Sequence, residues 1–210
     1  MVHGWPDTLR LWDAQVAALK DRYRCIRFTL PGFDPSHVRR ARTLGELIEF
    51  LRALIERHSP GGRTILLLHD WGCLLGYEFA MRHPGMVSRI VGVDIGDPKS
   101  LRRAMTARGK FLSFAYQVWL ALAWKIGGAF GDWMTRAMAR WARCPSDPAP
   151  VGSHMNYLYY LMWFGRSDAF RGQVQRFRPA CPMLFIYGRR KPFMFHADSW
   201  LDELRARPEN

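Results

Sequence analysis

The run Thr64-Ile65-Leu66-Leu67-Leu68-His69-Asp70-Trp71-Gly72-Cys73 constrains this chain more than any other stretch. An apolar segment of strand length meets a sharp His-Asp-Trp-Gly turn, and a helical pattern follows at once. A strand, a tight elbow and a helix in that order lift one side chain above the edge of a parallel sheet, where it can act as a nucleophile. Asp70 occupies that position. A carboxylate there points to an alkyl–enzyme ester, because partial desolvation and fixed aim make a weak nucleophile useful. The competing explanation is a helix N-cap, for which Asp is favoured in its own right.

The surrounding pattern agrees with a layered α/β chain. Thr8 to Leu19 places Leu9, Trp12, Val16 and Leu19 on one helical face. Cys25 to Leu30 reads as a strand stopped by Pro31-Gly32-Phe33. Thr43 to Arg57 is the clearest helix: Thr43 and Glu46 form a capping box, and Leu44, Leu47, Ile48, Leu51, Leu54 and Ile55 keep helical spacing. Ser59-Pro60-Gly61-Gly62 ends it. The helix after the elbow runs to about Arg82, and the next strand covers Ser88 to Asp94. Strands alternating with helices imply right-handed crossovers and a parallel sheet.

From about Asp97 to Pro179 the chain becomes rich in Trp, Met and Tyr and reads as helices without a strand. Cys181 to Gly188 returns to a buried strand, and Asp198 to Arg207 reads as a last short helix. The expected class is therefore α/β: a mostly parallel sheet flanked by helices, with an inserted helical lid. Residues 1–96 and 180–210 form the sheet domain and 97–179 the lid. Phe111 to Phe130 is apolar for most of its length, but it carries Ser113, Gln117 and Lys125 between sheet elements. It predicts a buried lid helix rather than a membrane span.

Composition narrows the partners. Lys and Arg number 31 against 18 Asp and Glu, a formal charge of +13, which could serve nucleic acid or anionic membranes. The arginines are dispersed with no block of five basic residues, so the charge reads as a solvated surface, with no nucleic-acid partner and a membrane one unlikely. The four cysteines (Cys25, Cys73, Cys144, Cys181) form no C-x-x-C pair, which argues against zinc or redox chemistry and fits a reducing cytoplasm. No cofactor or metal is expected. The N-terminus lacks a basic-then-apolar leader. Gly152-Ser153-His154-Met155 looks like a cloning scar, yet it continues into the next segment and reads as chance.

A second turn, His3-Gly4-Trp5-Pro6, matters beside the elbow. A backbone N–H after the first strand-to-helix turn can join the N–H following the nucleophile to form an oxyanion hole. The donors would be Trp5 and Trp71; the alternative is an ordinary Gly-Pro turn. Taken with Pro31-Gly32-Phe33, His69-Asp70-Trp71-Gly72 and the strand ending at Asp94, the chain resembles α/β-hydrolases of the epoxide hydrolase and haloalkane dehalogenase group. The resemblance spans nearly the whole chain and is firmest over residues 1–96. It implies the hydrolase fold, a two-step alkylation and hydrolysis, and a small apolar substrate, an epoxide or an alkyl halide. Dehalogenases usually carry Asn where Trp5 stands, so Trp5 favours the epoxide side.

The resemblance also implies proton donors and a base. Phe114-Ala115-Tyr116-Gln117 resembles the segment with the first lid tyrosine, and Met155-Asn156-Tyr157-Leu158-Tyr159-Tyr160 the segment with the second. A phenol can protonate the developing alkoxide, so Tyr116, Tyr157 and Tyr159 are candidates, with Tyr160 also in the cluster; lid packing is the alternative. Many relatives place an acid where Lys191 stands here. Others place it at the end of the strand after the elbow helix, where Asp94 lies, 24 residues beyond Asp70. Asp94 is the expected acid partner and Asp198 a weaker one; Asp94 could instead cap the next turn. The family's histidine follows one more strand, and none of His3, His37, His58, His69, His83, His154 and His196 matches it; His196, after the last strand, could substitute. The expectation is a chain short of its first strands, its last strand and its base. It would alkylate without turnover and, with bare sheet edges, tend to self-associate. The rivals are a haloalkane dehalogenase and a truncated, non-catalytic protein.

Overall fold

The computed structural model describes residues 1–190 and 194–208. In chain order the elements are α1 (Asp13–Leu19), α2 (Leu44–His58), β1 (Thr64–His69), α3 (Trp71–Arg82), β2 (Val87–Val93), α4 (Pro98–Ala104), α5 (Ala107–Ile126), α6 (Gly128–Trp141), α7 (Tyr157–Phe164), β3 (Met183–Ile186) and α8 (Asp198–Arg205). Two compact units account for them. One gathers His3–Gly45 with Phe111–Gln173, and the other gathers Val2 and Glu46–Lys110 with the described residues from Val174 on.

The second unit holds the parallel sheet, in the order β1-β2-β3. Leu66 pairs with Ile90, Leu68 with Gly92 and His69 with Val93; Ile90 in turn pairs with Met183 and Val93 with Ile186. Period-2 alternation sends Leu66, Leu68, Ile90 and Met183 to a buried face. Helix α3 lies close to β1 because Gly76 has no side chain: a Cβ there would stand 2.4 Å from the Leu68 Cδ1. Tyr77, one residue on, stacks on Phe177 with ring centroids 4.0 Å apart. At the other end Trp200 of α8 meets the Phe185 ring edge-on at 4.7 Å. Burying side chains of this size contributes roughly 1.5–3 kcal/mol each. The helix–strand alternation expected from the sequence is therefore the architecture observed.

The first unit is helical. Helices α5 and α6 fold back on each other through Gly127 and Gly128, both at positive φ (66° and 56°). The Trp119 Nε1 donates across the pair to the Met134 carbonyl at 3.0 Å. Gly131 permits the close approach, since a Cβ there would lie 2.5 Å from the Ala123 carbonyl oxygen. The Gly152–Met155 segment is built into this unit: Ser153 donates to Asp132 from both its N and its Oγ, at 2.7 Å each.

Two local expectations are corrected. Cys25–Leu30 belongs to no strand. Its main chain is held by the Met1 nitrogen, which donates to the Ile26 carbonyl, and by the His3 ring, which accepts from the Leu30 N–H. A terminal nitrogen and a ring are not ladder hydrogen bonds, so no strand registers. Helix α5 is buried on one side only. Leu120, Ala121, Ala123 and Trp124 are buried, whereas Phe111, Leu112, Phe114, Trp119, Leu122 and Ile126 are exposed. One helical face packs and the other does not. Among the described residues no helix is long and apolar enough to cross a membrane.

Candidate active site

Asp70 follows β1 and precedes α3 with φ 52° and ψ −121°. A non-glycine residue held in that region costs of order 1–3 kcal/mol, which the surrounding packing must sustain. The helix begins at once, with the Cys73 N–H bonded to the Asp70 carbonyl at 2.9 Å. Asp70 stands at the N-cap position, but its side chain makes no capping hydrogen bond. Capping therefore does not explain an aspartate here.

Asp94 stands one residue beyond β2, also at positive φ (79°), and is buried. Its N–H donates to the Ile186 carbonyl at 2.8 Å, tying the turn to β3. The next helix is capped by a different acid. Asp97 Oδ2 accepts from the Ser100 N–H and hydroxyl at 2.7 and 2.6 Å, and its Oδ1 accepts from the Phe177 N–H at 2.8 Å. The sequence signal for Asp97 was present, an acid directly before Pro98 at a helix start.

His196 belongs to the same unit. The neighbouring Phe195 carbonyl accepts from the Gly96 N–H at 2.9 Å. A Cβ on Gly96 would come within 2.8 Å of the His196 Cβ. The imidazole is buried, 4.3 Å from the Tyr187 ring and 5.4 Å from Phe185 by centroid. The structure thus brings His196 against the backbone two residues after Asp94. Asp198 is exposed in the first turn of α8, and Lys191 lies outside the described residues.

Two buried groups beside the elbow are chemically quiet. Cys73 donates to the Val93 carbonyl at 3.3 Å, and burial pushes its thiol up to about 12. Tyr77 donates to the Ile95 carbonyl at 2.7 Å, and burial raises its phenol well above the usual range. Neither ionises near neutrality, so neither competes with a carboxylate as nucleophile.

The other unit holds the His3-Gly4-Trp5-Pro6 turn and the tyrosines. His3 is fully buried; its Nδ1 lies 3.0 Å from the Gly4 carbonyl and its Nε2 accepts from the Leu30 N–H at 2.8 Å. Those partners fix a neutral ring with the proton on Nδ1, a structural histidine. Trp5 is buried, and its indole N–H donates to Asn156 Oδ1 at 2.8 Å. Asn156 passes the chain on to the Thr135 hydroxyl at 2.7 Å, which donates to the Gly131 carbonyl at 2.8 Å. Sequence reasoning passed over Asn156, although it sits inside the segment singled out for its tyrosines.

The tyrosines divide. The rings of Tyr116 and Tyr159 meet edge-on at 6.1 Å, and Tyr159 meets Trp5 at the same distance. Gln117 Nε2 donates to the Tyr116 hydroxyl at 3.2 Å, and Gln117 Oε1 accepts from the Trp163 indole at 3.1 Å. Tyr157 stands apart. Its hydroxyl donates to the Pro31 carbonyl at 2.8 Å, and its ring packs edge-on to Phe33 and Trp124. Gly32, at φ 87°, admits that ring; a Cβ there would lie 2.9 Å from it. Tyr160 leans on Trp124 and Phe164.

A parallel sheet with crossover helices, and an acid in strained backbone at the C-terminal end of a strand, define the α/β-hydrolase type. The family model for the alpha/beta hydrolase fold matches residues 1–123, and the chain belongs to that family. Over 106 residues it is 31% identical to Epoxide hydrolase 1 of Caenorhabditis elegans, covering 49% of this chain and 26% of that protein. Over 93 residues it is 36% identical to the "Probable oxidoreductase EphD" of Mycobacterium tuberculosis, covering 43% of this chain and 16% of that one. The matched stretches are thus about a quarter and a sixth of those relatives' lengths. A crystal structure of the Bacillus megaterium epoxide hydrolase with an inhibitor superposes at TM-score 0.69, with 20% identity, over 92% of this chain and 76% of that one. The fold is that of the epoxide hydrolase-like α/β hydrolases.

Proposed function

We propose that this chain carries an epoxide hydrolase-like alkylation step with Asp70 as nucleophile. The observation that carries the reading is Asp70 itself: a strained elbow residue whose carboxylate is not spent on capping. In the step, an Asp70 oxygen bonds to an epoxide carbon, the ring C–O bond breaks, and the alkoxide takes a proton from a tyrosine. Tyr116 and Tyr159 are the donors we favour, because they are grouped with Trp5, whereas the Tyr157 hydroxyl is committed to Pro31. The Trp5 and Trp71 amides would hold the oxyanion when water later attacks the ester. Asp94 is the acid partner we assign, since Asp97 rather than Asp94 caps the following helix. In this reading residues 97–179 act as the helical cap, and the substrate is a small apolar epoxide.

His196, buried against Gly96 two residues after Asp94, is the candidate base in this reading, and slow hydrolysis of the ester would leave the adduct in place. The test is intact-mass spectrometry of the folded chain after exposure to styrene oxide, with Asp70→Asn as control and accessible thiols blocked beforehand. A persistent adduct of one epoxide mass on the parent alone supports the reading. If diol is released instead, His196→Gln asks whether that histidine supplies the base. No adduct and no diol from folded protein rejects Asp70 as nucleophile. Halide release from a bromoalkane without reaction at epoxides would assign the site to a dehalogenase.

A further inference from the structure

We propose that the α5–α6 hairpin is a docking surface for an anionic lipid bilayer, lying on the membrane plane rather than crossing it. The inference does not depend on the reading of Asp70. Its starting point is a helix pair that is apolar on both sides. The inner side is accounted for: Ala121, Ala123, Trp124, Met134 and Ala139 are buried, and Arg39 lies over the Trp124 ring at 3.8 Å. The outer side carries Trp119, Leu122 and Ile126 at i, i+3 and i+7 of α5, and Phe130, Trp133 and Trp141 along one stripe of α6. All six are exposed, from 36% for Trp119 to 71% for Trp141. Phe130 and Trp133 stack on each other at 5.4 Å, so the stripe is continuous over the first turns of α6.

An exposed apolar surface of this kind marks an interaction site. Its charge selects the partner. Residues 111–143 contain four basic side chains and a single acid, Asp132. Asp132 is occupied by Ser153, and Arg136 donates to the Val151 carbonyl. Lys125, Arg140 and Arg143 are exposed beside the aromatic stripe. Aromatic and aliphatic side chains flanked by uncompensated cations are the composition of a helix lying in the headgroup region of an anionic leaflet. Trp rings suit that boundary because one edge is apolar and the N–H stays wet. A second copy is a poorer occupant, because it would set like charges against like across a low-dielectric contact. The dispersed charge along the sequence hid this surface; folding collects three cations and six apolar side chains on one hairpin.

Co-sedimentation with lipid vesicles tests it. The probes are phosphatidylcholine vesicles and phosphatidylcholine vesicles with about 30% phosphatidylserine. The parent chain should pellet with the anionic vesicles and hardly with the neutral ones, with a blue shift of tryptophan emission. The variant Ile126→Ser/Phe130→Ser/Trp133→Ser alters only exposed positions and should keep the parent's circular dichroism while losing binding by about tenfold or more. Lys125→Glu/Arg140→Glu/Arg143→Glu should lose the preference for anionic vesicles. The proposal is overturned if the parent does not pellet with anionic vesicles. It is equally overturned if the apolar variant binds as well as the parent, which would assign binding to diffuse charge. A dimer that dissociates in the apolar variant, with no vesicle binding by the parent, would give the surface to a second copy.

Discussion

Asp70 and Asp94 each lie one residue beyond a paired position of adjacent parallel strands, His69 with Val93, and both hold positive φ, 52° and 79°. Two acids leave neighbouring strand ends in backbone that non-glycine residues avoid. Strain of this sort persists where surrounding structure over-determines it, and it gathers at functional sites. The pairing is a property of the sheet register and holds whatever chemistry the site performs.

The strain at Asp70 should be measurable. Glycine adopts this backbone without penalty. Asp70→Gly is expected to abolish any reaction with epoxide yet to raise stability by about 1 kcal/mol. Urea unfolding followed by circular dichroism reads the change; a lower midpoint for Asp70→Gly would show that the elbow is not strained.

Gly76 is fixed by contact rather than by conformation. An alanine there would drive its Cβ against the Leu68 side chain, itself fully buried, so neither partner can turn into solvent. Overpacking of this kind costs roughly 1–3 kcal/mol. Gly76→Ala should lower the thermal midpoint, and Gly76→Ala with Leu68→Ala should lose less than the sum of the two separate losses, read in a double-mutant cycle.

Asn156 joins the Trp5 indole to the Thr135 hydroxyl. Asn156→Ala removes the acceptor from a buried N–H and should destabilise by about 1–3 kcal/mol. Asn156→Asp keeps the acceptor for Trp5 but buries a carboxylate against the Thr135 hydroxyl, so it should be no more stable than Asn156→Ala at neutral pH and recover only as acid protonates it. Equal stability of Asn156→Ala and the parent in urea would show that the network carries no weight.

The thiols report on the core. Burial raises Cys73 to about 12 and pushes Cys181 above its ordinary value. Iodoacetamide at about pH 8 should leave Cys73 unmodified in the folded chain and label it after unfolding, as read by peptide mass mapping. Labelling of Cys73 in native protein would mean that α3 opens away from the sheet.

His154 should give a pH signature. Burial lowers its imidazolium below the ordinary 6.5, against the pull of the Phe33 carbonyl, Asp132 and Asp34, and with a smaller push from Arg39. The unfolded chain then binds the proton more readily than the folded one. Stability therefore rises with pH through about 6.5 and is lost as pH falls below it. His154→Gln should flatten that part of the urea-midpoint profile; an unchanged slope would show that His154 does not supply it.

Local pattern carried much of this structure, and it did so where the physics is local. The apolar run before Asp70, the spacing of Leu44 to Ile55 and the Pro and Gly breaks are each set by period and turn chemistry within a few residues, and β1, α2 and α3 form where these place them. What the sequence alone could not decide was every property that depends on partners far along the chain. Cys25–Leu30 has the composition of a strand, but a strand exists only through its ladder, and its main chain is met instead by a terminal nitrogen and an imidazole. Phe111 to Phe130 has the hydropathy of a buried helix, but burial depends on what covers each face, and one face of α5 stays open. Three neighbouring tyrosines look alike in sequence. Folding brought Tyr159 to Tyr116 and Trp5 and locked Tyr157 onto Pro31, because hydrogen bonds and ring contacts across 126 residues of separation follow from tertiary packing and leave no mark on local pattern.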